Sequence, residues 1–134
     1  MGMVNKSVAE IGGAQLDWAV AKAEGVVPGK PEWMFWDGEP QINWYTDDGQ
    51  RGGTVPLSSW GSPSSDWNMG GPIIERERID IEWWQDSSDL SVVWDAVIHL
   101  SATQRVRLDG PTPLIAAMRA FVASKLGDEV EVPE

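Results

Sequence analysis

The sequence predicts an α+β fold, a small antiparallel sheet packed with two main helices and a Trp-rich irregular segment, and three observations lead there. Apolar residues recur at helical spacing in two stretches, Gly13 to Glu24 and again after Thr112. Between Ile79 and Leu108 they alternate instead, with the period of two expected of strands having one wet face. The intervening stretch from Pro28 to Gly71 is rich in Gly, Pro, Ser and Asp, yet it carries Trp33, Trp36, Trp44, Trp60 and Trp67, which argues against disorder.

Taken in order, Met1 to Gly12 suggest only a short strand near Val4. In the first helix Leu16, Val20 and Ala23 share a face, Asp17 falls in the opening turn and Gly25 is placed to end it. Trp18 lies on another face, so it either widens the buried stripe or looks into a cleft. The irregular stretch reads as short strands around Trp33 to Trp36 and Ile42 to Tyr45, with an acidic turn from Thr46 to Gly49.

From Pro63 to Arg78, PSSDWNMGGPIIERER, local instructions are densest. Ser64, Ser65 and Asp66 are turn and capping types, Gly70 and Gly71 free the backbone, and Pro72 suits the first position of a short helix from Pro72 to Arg78. Such a helix start presents unpaired N–H groups and a positive dipole end to an anion. The expected ligand-binding set is therefore Trp18 and Trp67 as walls, the amides of Gly71 and Ile73 on the anion, Arg76 as a charged donor, and Ser65, Asp66 and Gly70 shaping the loop. A plainer reading stands beside it, with Gly-Gly-Pro a tight connection, Trp67 core and Glu75 to Arg78 a solvated face.

Ile79, Ile81 and Trp83 then alternate with Asp80 and Glu82, a turn follows at Gln85 to Asp89, and Val92, Trp94, Ala96, Ile98 and Leu100 form one apolar face. Val106 and Leu108 alternate with Arg105 and Arg107 in a third strand. In the last helix Thr112 is the N-cap and Pro113 the first residue, with Leu114, Met118, Phe121, Val122 and Leu126 on a stripe ended by Gly127. After it, Val130 and Val132 suit either an edge strand or a mobile tail.

Three stretches resemble one family. Ser65, Asp66, Trp67 and Gly70 through Arg76 (GGPIIER) look like the signature of NinX, a family of small bacteriophage proteins. LDWAVAKAEG from Leu16 to Gly25 and GPTPLIAAMRAFVASKLGDEVEVP from Gly110 to Pro133 are similar to that family's two ends. Pro28 to Gly53, Asn68 and Met69 fall outside the match. The resemblance implies a phage or prophage origin in a bacterial cytoplasm, and no mechanism.

At 134 residues one domain is expected, 1–134. The absence of cysteine excludes disulfides, thiolate zinc sites and a Cys nucleophile, and no apolar run approaches bilayer length, so a cytoplasmic protein in the bacterial host cell is expected. With 21 acids against 10 bases and a net charge of −11, duplex DNA is repelled at long range. No nucleophile-elbow, phosphate-loop, dinucleotide or zinc-protease pattern is present, His99 is alone, and Glu75, Glu77, Asp80 and Glu82 match no metal-ligand loop. The expectation is thus a non-enzymatic phage accessory protein, without cofactor or metal, binding a small anionic or nucleotide-like ligand, a host immune signal being one form. The alternative is an interaction module that blocks or recruits a basic host protein through acidity and exposed Trp.

Overall fold

The computed structural model describes residues 2–28, 35–36 and 39–134, and the strand expected around Trp33 lies partly outside them. The fold is α+β. Its centre is helix α4, Pro113–Leu126. Thr112 caps it by accepting from the Ile115 amide at 3.1 Å, and Pro113 occupies the first turn, where its missing N–H costs nothing. Leu114, Met118, Phe121 and Val122 are buried as the stripe requires, but so are Ala116, Ala117, Ala120 and Ala123. A helix buried on so many sides must be covered by more than one layer. One side meets the antiparallel sheet β5 (Asp80–Gln85), β6 (Val92–His99) and β7 (Arg105–Gly110), and another meets α1, Gly13–Ala23.

Helix α1 ends in a Schellman arrangement. Gly25 adopts φ +80°, its amide bonds Lys22 O at 3.1 Å, and the Val26 amide bonds Ala21 O at 3.0 Å. Val26 O then accepts from Asn43 N at 2.8 Å, which ties this corner to a second sheet. That sheet is the meander β2 (Phe35–Trp36), β3 (Glu39–Tyr45) and β4 (Arg51–Pro56). It occupies much of the stretch expected to be irregular, and β4 is a strand the alternation test missed because Arg51, Gly52 and Gly53 carry no apolar signal. Strand β4 runs into the short helix α2, Leu57–Trp60. The third sheet is a ribbon of β1 (Met3–Ser7) and β8 (Glu129–Pro133), with Val130 and Val132 buried, so the tail takes the edge-strand option. Among the described residues three small antiparallel sheets thus stand where one was expected.

Helix α3 departs most from expectation. It runs Trp67–Glu77, five residues earlier than a start at Pro72 would give, with Asp66 as N-cap accepting from Asn68 N at 2.9 Å. Pro72 therefore lies inside the helix. There it removes the donor that would reach Asn68 O and crowds the residue before it. That residue is Gly71, which has no Cβ for the ring to strike. Gly70 is needed for a separate reason, since a Cβ there would run into the Leu114 side chain and the Pro63 carbonyl oxygen. The helix closes with Arg78 in the left-handed region at φ +53° and the Ile79 amide on Ile74 O at 3.0 Å.

Candidate functional site

A cleft of about 420 Å³ opens between the start of α1, helix α2 and the loop from Gly61 to Ser65. Its walls are built by ordinary local rules. Residues three and four apart share a helix face, so Gly13 and Ala14 stand beside Asp17 along one side. Leu57 and Ser58 of α2, with Glu39 and Pro40 at the start of β3, form the opposite side, and Ile115 of α4 adds an apolar patch. Ser62, Ser64 and Ser65 close the rim. The loop holds its shape because Ser65 N and Asp66 N both donate to Ser62 O, at 3.0 and 2.8 Å.

Asp17 anchors that loop from the helix. Its carboxylate is only 5% exposed and accepts from the Ser64 amide at 2.9 Å, with the Ser64 and Ser62 hydroxyls as further partners. Burial pushes the carboxyl above the usual aspartate range, and the serine hydrogen bonds pull partly the other way. The α1 start adds donors. Gly12 is the N-cap residue and no side chain caps the first turn, and Gly13 and Ala14 of that turn line the cleft.

Of the eight residues singled out from sequence, the cleft takes in only Ser65. Trp18 is fully buried, so it widens the core stripe instead of walling a cleft. Asp66 caps α3 as its residue type suggested. Gly71 and Ile73 lie in the interior of α3, where amides are spent on the helix ladder, so no anion-accepting helix start exists at Pro72. Gly70 and Ile73 are buried in packing and Trp67 is 55% exposed on the first turn of α3. Arg76 reaches helix one, but as a structural cation. It pairs with Glu24 at the α1 C-terminus, bonds Glu77 at 3.0 Å and stands 5.6 Å over the Phe121 ring. Lys125 joins the same cluster through Glu77 at 3.2 Å.

The residues that do line the cleft had one usable signal. An acid between Leu16 and Trp18 in an apolar helix needs a buried partner, and the serines at 58, 62, 64 and 65 are the donors near at hand. A second, polar depression lies on the open face of β5–β6–β7, where Asp80 meets His99 at 3.0 Å and Arg107 pairs with Asp95.

Architecture and cleft together define a small α+β protein of helix-centred design, in which no helix among the described residues is long and apolar enough to cross a membrane. The chain belongs to the family described as Bacteriophage P22, NinX, whose family model matches residues 7–125. That range takes in the Leu16–Gly25 and Ser65–Arg76 stretches whole and most of α4. No curated protein matches the chain. Family membership makes it a phage accessory protein.

Proposed function

We propose that the protein binds a small nucleotide-like molecule in the α1–α2 cleft without transforming it. One observation carries this reading: a helix start with no side-chain cap, four serines and apolar residues line a single cavity of about 420 Å³. Small-molecule pockets run from about 300 to 1,000 Å³ and combine apolar lining with a few placed polar groups. An anionic group fits only against the α1 amides, because the described lining holds Asp17 and Glu39 and no lysine, arginine or histidine. Hydroxyl groups suit the serine rim, and a flat ring suits Leu57, Pro40 and Ile115. Of the two acids in the described lining, the buried one, Asp17, is committed to the loop, which favours a binder over an enzyme. Holding a host signalling molecule out of circulation is a phage accessory role that needs no turnover.

The test begins with mass spectrometry of small molecules released from acid-denatured purified protein, followed by calorimetric titration of the compound found. Ala14→Phe places a ring in the cleft mouth from an exposed position and is expected to weaken binding by roughly tenfold or more with little change in melting temperature. Release of nothing, together with no thermal shift from a panel of nucleosides, nucleotides and cyclic nucleotides, counts against the reading.

A further inference from the structure

The hairpin of β5 and β6 reaches beyond the helix that covers it. Ile81, Ala96 and Ile98 lie on the face turned to α4 and join the core. In register beyond them come Trp83 opposite Trp94 and Gln85 opposite Val92, on the same face. Here the cover ends: Trp83 is 61% exposed, Val92 is exposed and Trp94 is only half-buried. Leu90, at the turn, is 66% exposed, and Trp84 is exposed on the reverse face. The tip thus carries two indoles and two aliphatic side chains into solvent.

It is also stiff. Asp86 accepts from Ser88 N at 2.7 Å, Asp89 from Ser91 N at 2.9 Å, and Gln85 Nε2 donates to Leu90 O at 2.9 Å. Leu90 is held at φ +63°, a region that a leucine enters only under constraint. Charge along the hairpin from β5 to β6 has a single sign. From Ile79 to Gln104 the sequence holds Asp80, Glu82, Asp86, Asp89 and Asp95 and no lysine or arginine. Asp95 and Asp80 face Arg107 and His99 near the sheet, while the serine hydrogen bonds hold Asp86 and Asp89 below the usual aspartate range, ionised at the tip.

We propose that this tip is a docking surface for a basic protein segment, whose arginine or lysine side chains lie across Trp83 while their charged ends meet Asp86 and Asp89. Indole faces attract guanidinium and ammonium groups, and flanking carboxylates add to that attraction. A second copy of the chain is the poorer occupant, because it would bring the same acids together. The surface is separate from the α1–α2 cleft and stands or falls without it.

The probe is a twelve-residue peptide alternating arginine and leucine, titrated calorimetrically at about physiological salt against the intact protein and three variants. Trp83→Ala removes no charge and is expected to weaken binding by roughly tenfold, and Asp86→Asn with Asp89→Asn by a similar factor. Asp47→Asn with Asp48→Asn, which removes the same charge at the distant Thr46–Gly49 turn, is expected to leave binding within about twofold. Equal weakening by the two charge variants, or full affinity in Trp83→Ala, would reduce the interaction to non-specific attraction and overturn the proposal. So would a dimer in sedimentation that Trp83→Ala dissolves. Unchanged melting temperature in each variant excludes unfolding as the cause.

Discussion

At the residue scale, Asp17 shows how one side chain serves both fold and cleft. A carboxylate inside an apolar helix face is costly unless hydrogen bonds replace its water, and the Ser64 amide and serine hydroxyls supply them. Because burial holds its folded pKa above the ordinary value, the folded protein binds this proton more tightly than the unfolded chain does. Stability from this group is therefore greatest below the ordinary aspartate pKa and falls as pH rises through the raised one. Asp17→Asn keeps an acceptor for Ser64 and does not titrate. Its melting temperature relative to the natural protein is expected to improve between about pH 4 and about pH 7. Asp17→Ala instead leaves the buried Ser64 amide without its partner, a loss of about 1–3 kcal/mol. Thermal melts of both variants across that range check the sign, and a falling difference for Asp17→Asn would place the carboxyl pKa below its ordinary value. The sequence places Asp17 only in the opening turn of the first helix, and its role stayed hidden because Ser64, the partner that explains it, lies 47 residues away. The ion pair of Arg76 was hidden in the same way, since its partner Glu24 lies 52 residues away and no local pattern announces it.

At the scale of elements, legibility follows how local the governing rule is. Helix α4 was readable from Thr112 to Gly127 because cap, proline, stripe and terminator all act within one segment. The β5–β6 hairpin was equally plain from its alternation, though not the fact that its apolar face outruns α4, which depends on where a distant helix stops. Helix α3 failed at its start because two rules competed at Pro72. Proline favours a helix's first turn, but the Asp66 cap opened the helix earlier, and Gly71 made an internal proline tolerable. The anion site drawn on that start was lost with it. In the meander, β3 was legible at Ile42 to Tyr45, whereas β4, opening on Arg51, Gly52 and Gly53, gave too little periodicity to register. The central place of α4 yields a direct expectation. Phe121 is about fully buried, so Phe121→Ala should cost roughly 3–5 kcal/mol through lost burial and the cavity left behind. Equilibrium unfolding by denaturant measures this, and an unshifted midpoint would mean the ring is not core.

At the scale of the whole molecule, the chain closes on itself and carries its charge unevenly. The β1–β8 ribbon brings residues 3–7 against 129–133, and Arg119 ties the approach to α1 into the body by donating to Ile11 O and Asp109 O, each at 2.9 Å. These long-range links were beyond any local reading of the ends. Net charge was readable at once, and structure sharpens what it means for nucleic acid. A protein attracts duplex DNA by releasing counterions from phosphates it neutralises, which needs several cations on one surface. Arg76, Arg78, Arg105 and Arg107 are the candidates for a local basic patch. Arg76 is held by Glu24 and Glu77, and Arg107 by Asp95, so two of the four already face acids. Arg105 stands on the strand edge beside His99, across a sheet face that also holds Asp80, Glu82 and Asp95. With a net charge of −11 behind these positions, the long-range field opposes approach of a polyanion. Affinity for random duplex DNA should therefore be weaker than about 100 μM at physiological salt, at or beyond the weak end of ordinary non-specific binding. Fluorescence anisotropy with a labelled random duplex, repeated at low salt, tests this, and sub-micromolar binding that falls steeply with added salt would reveal a cationic surface that the paired arginines do not provide.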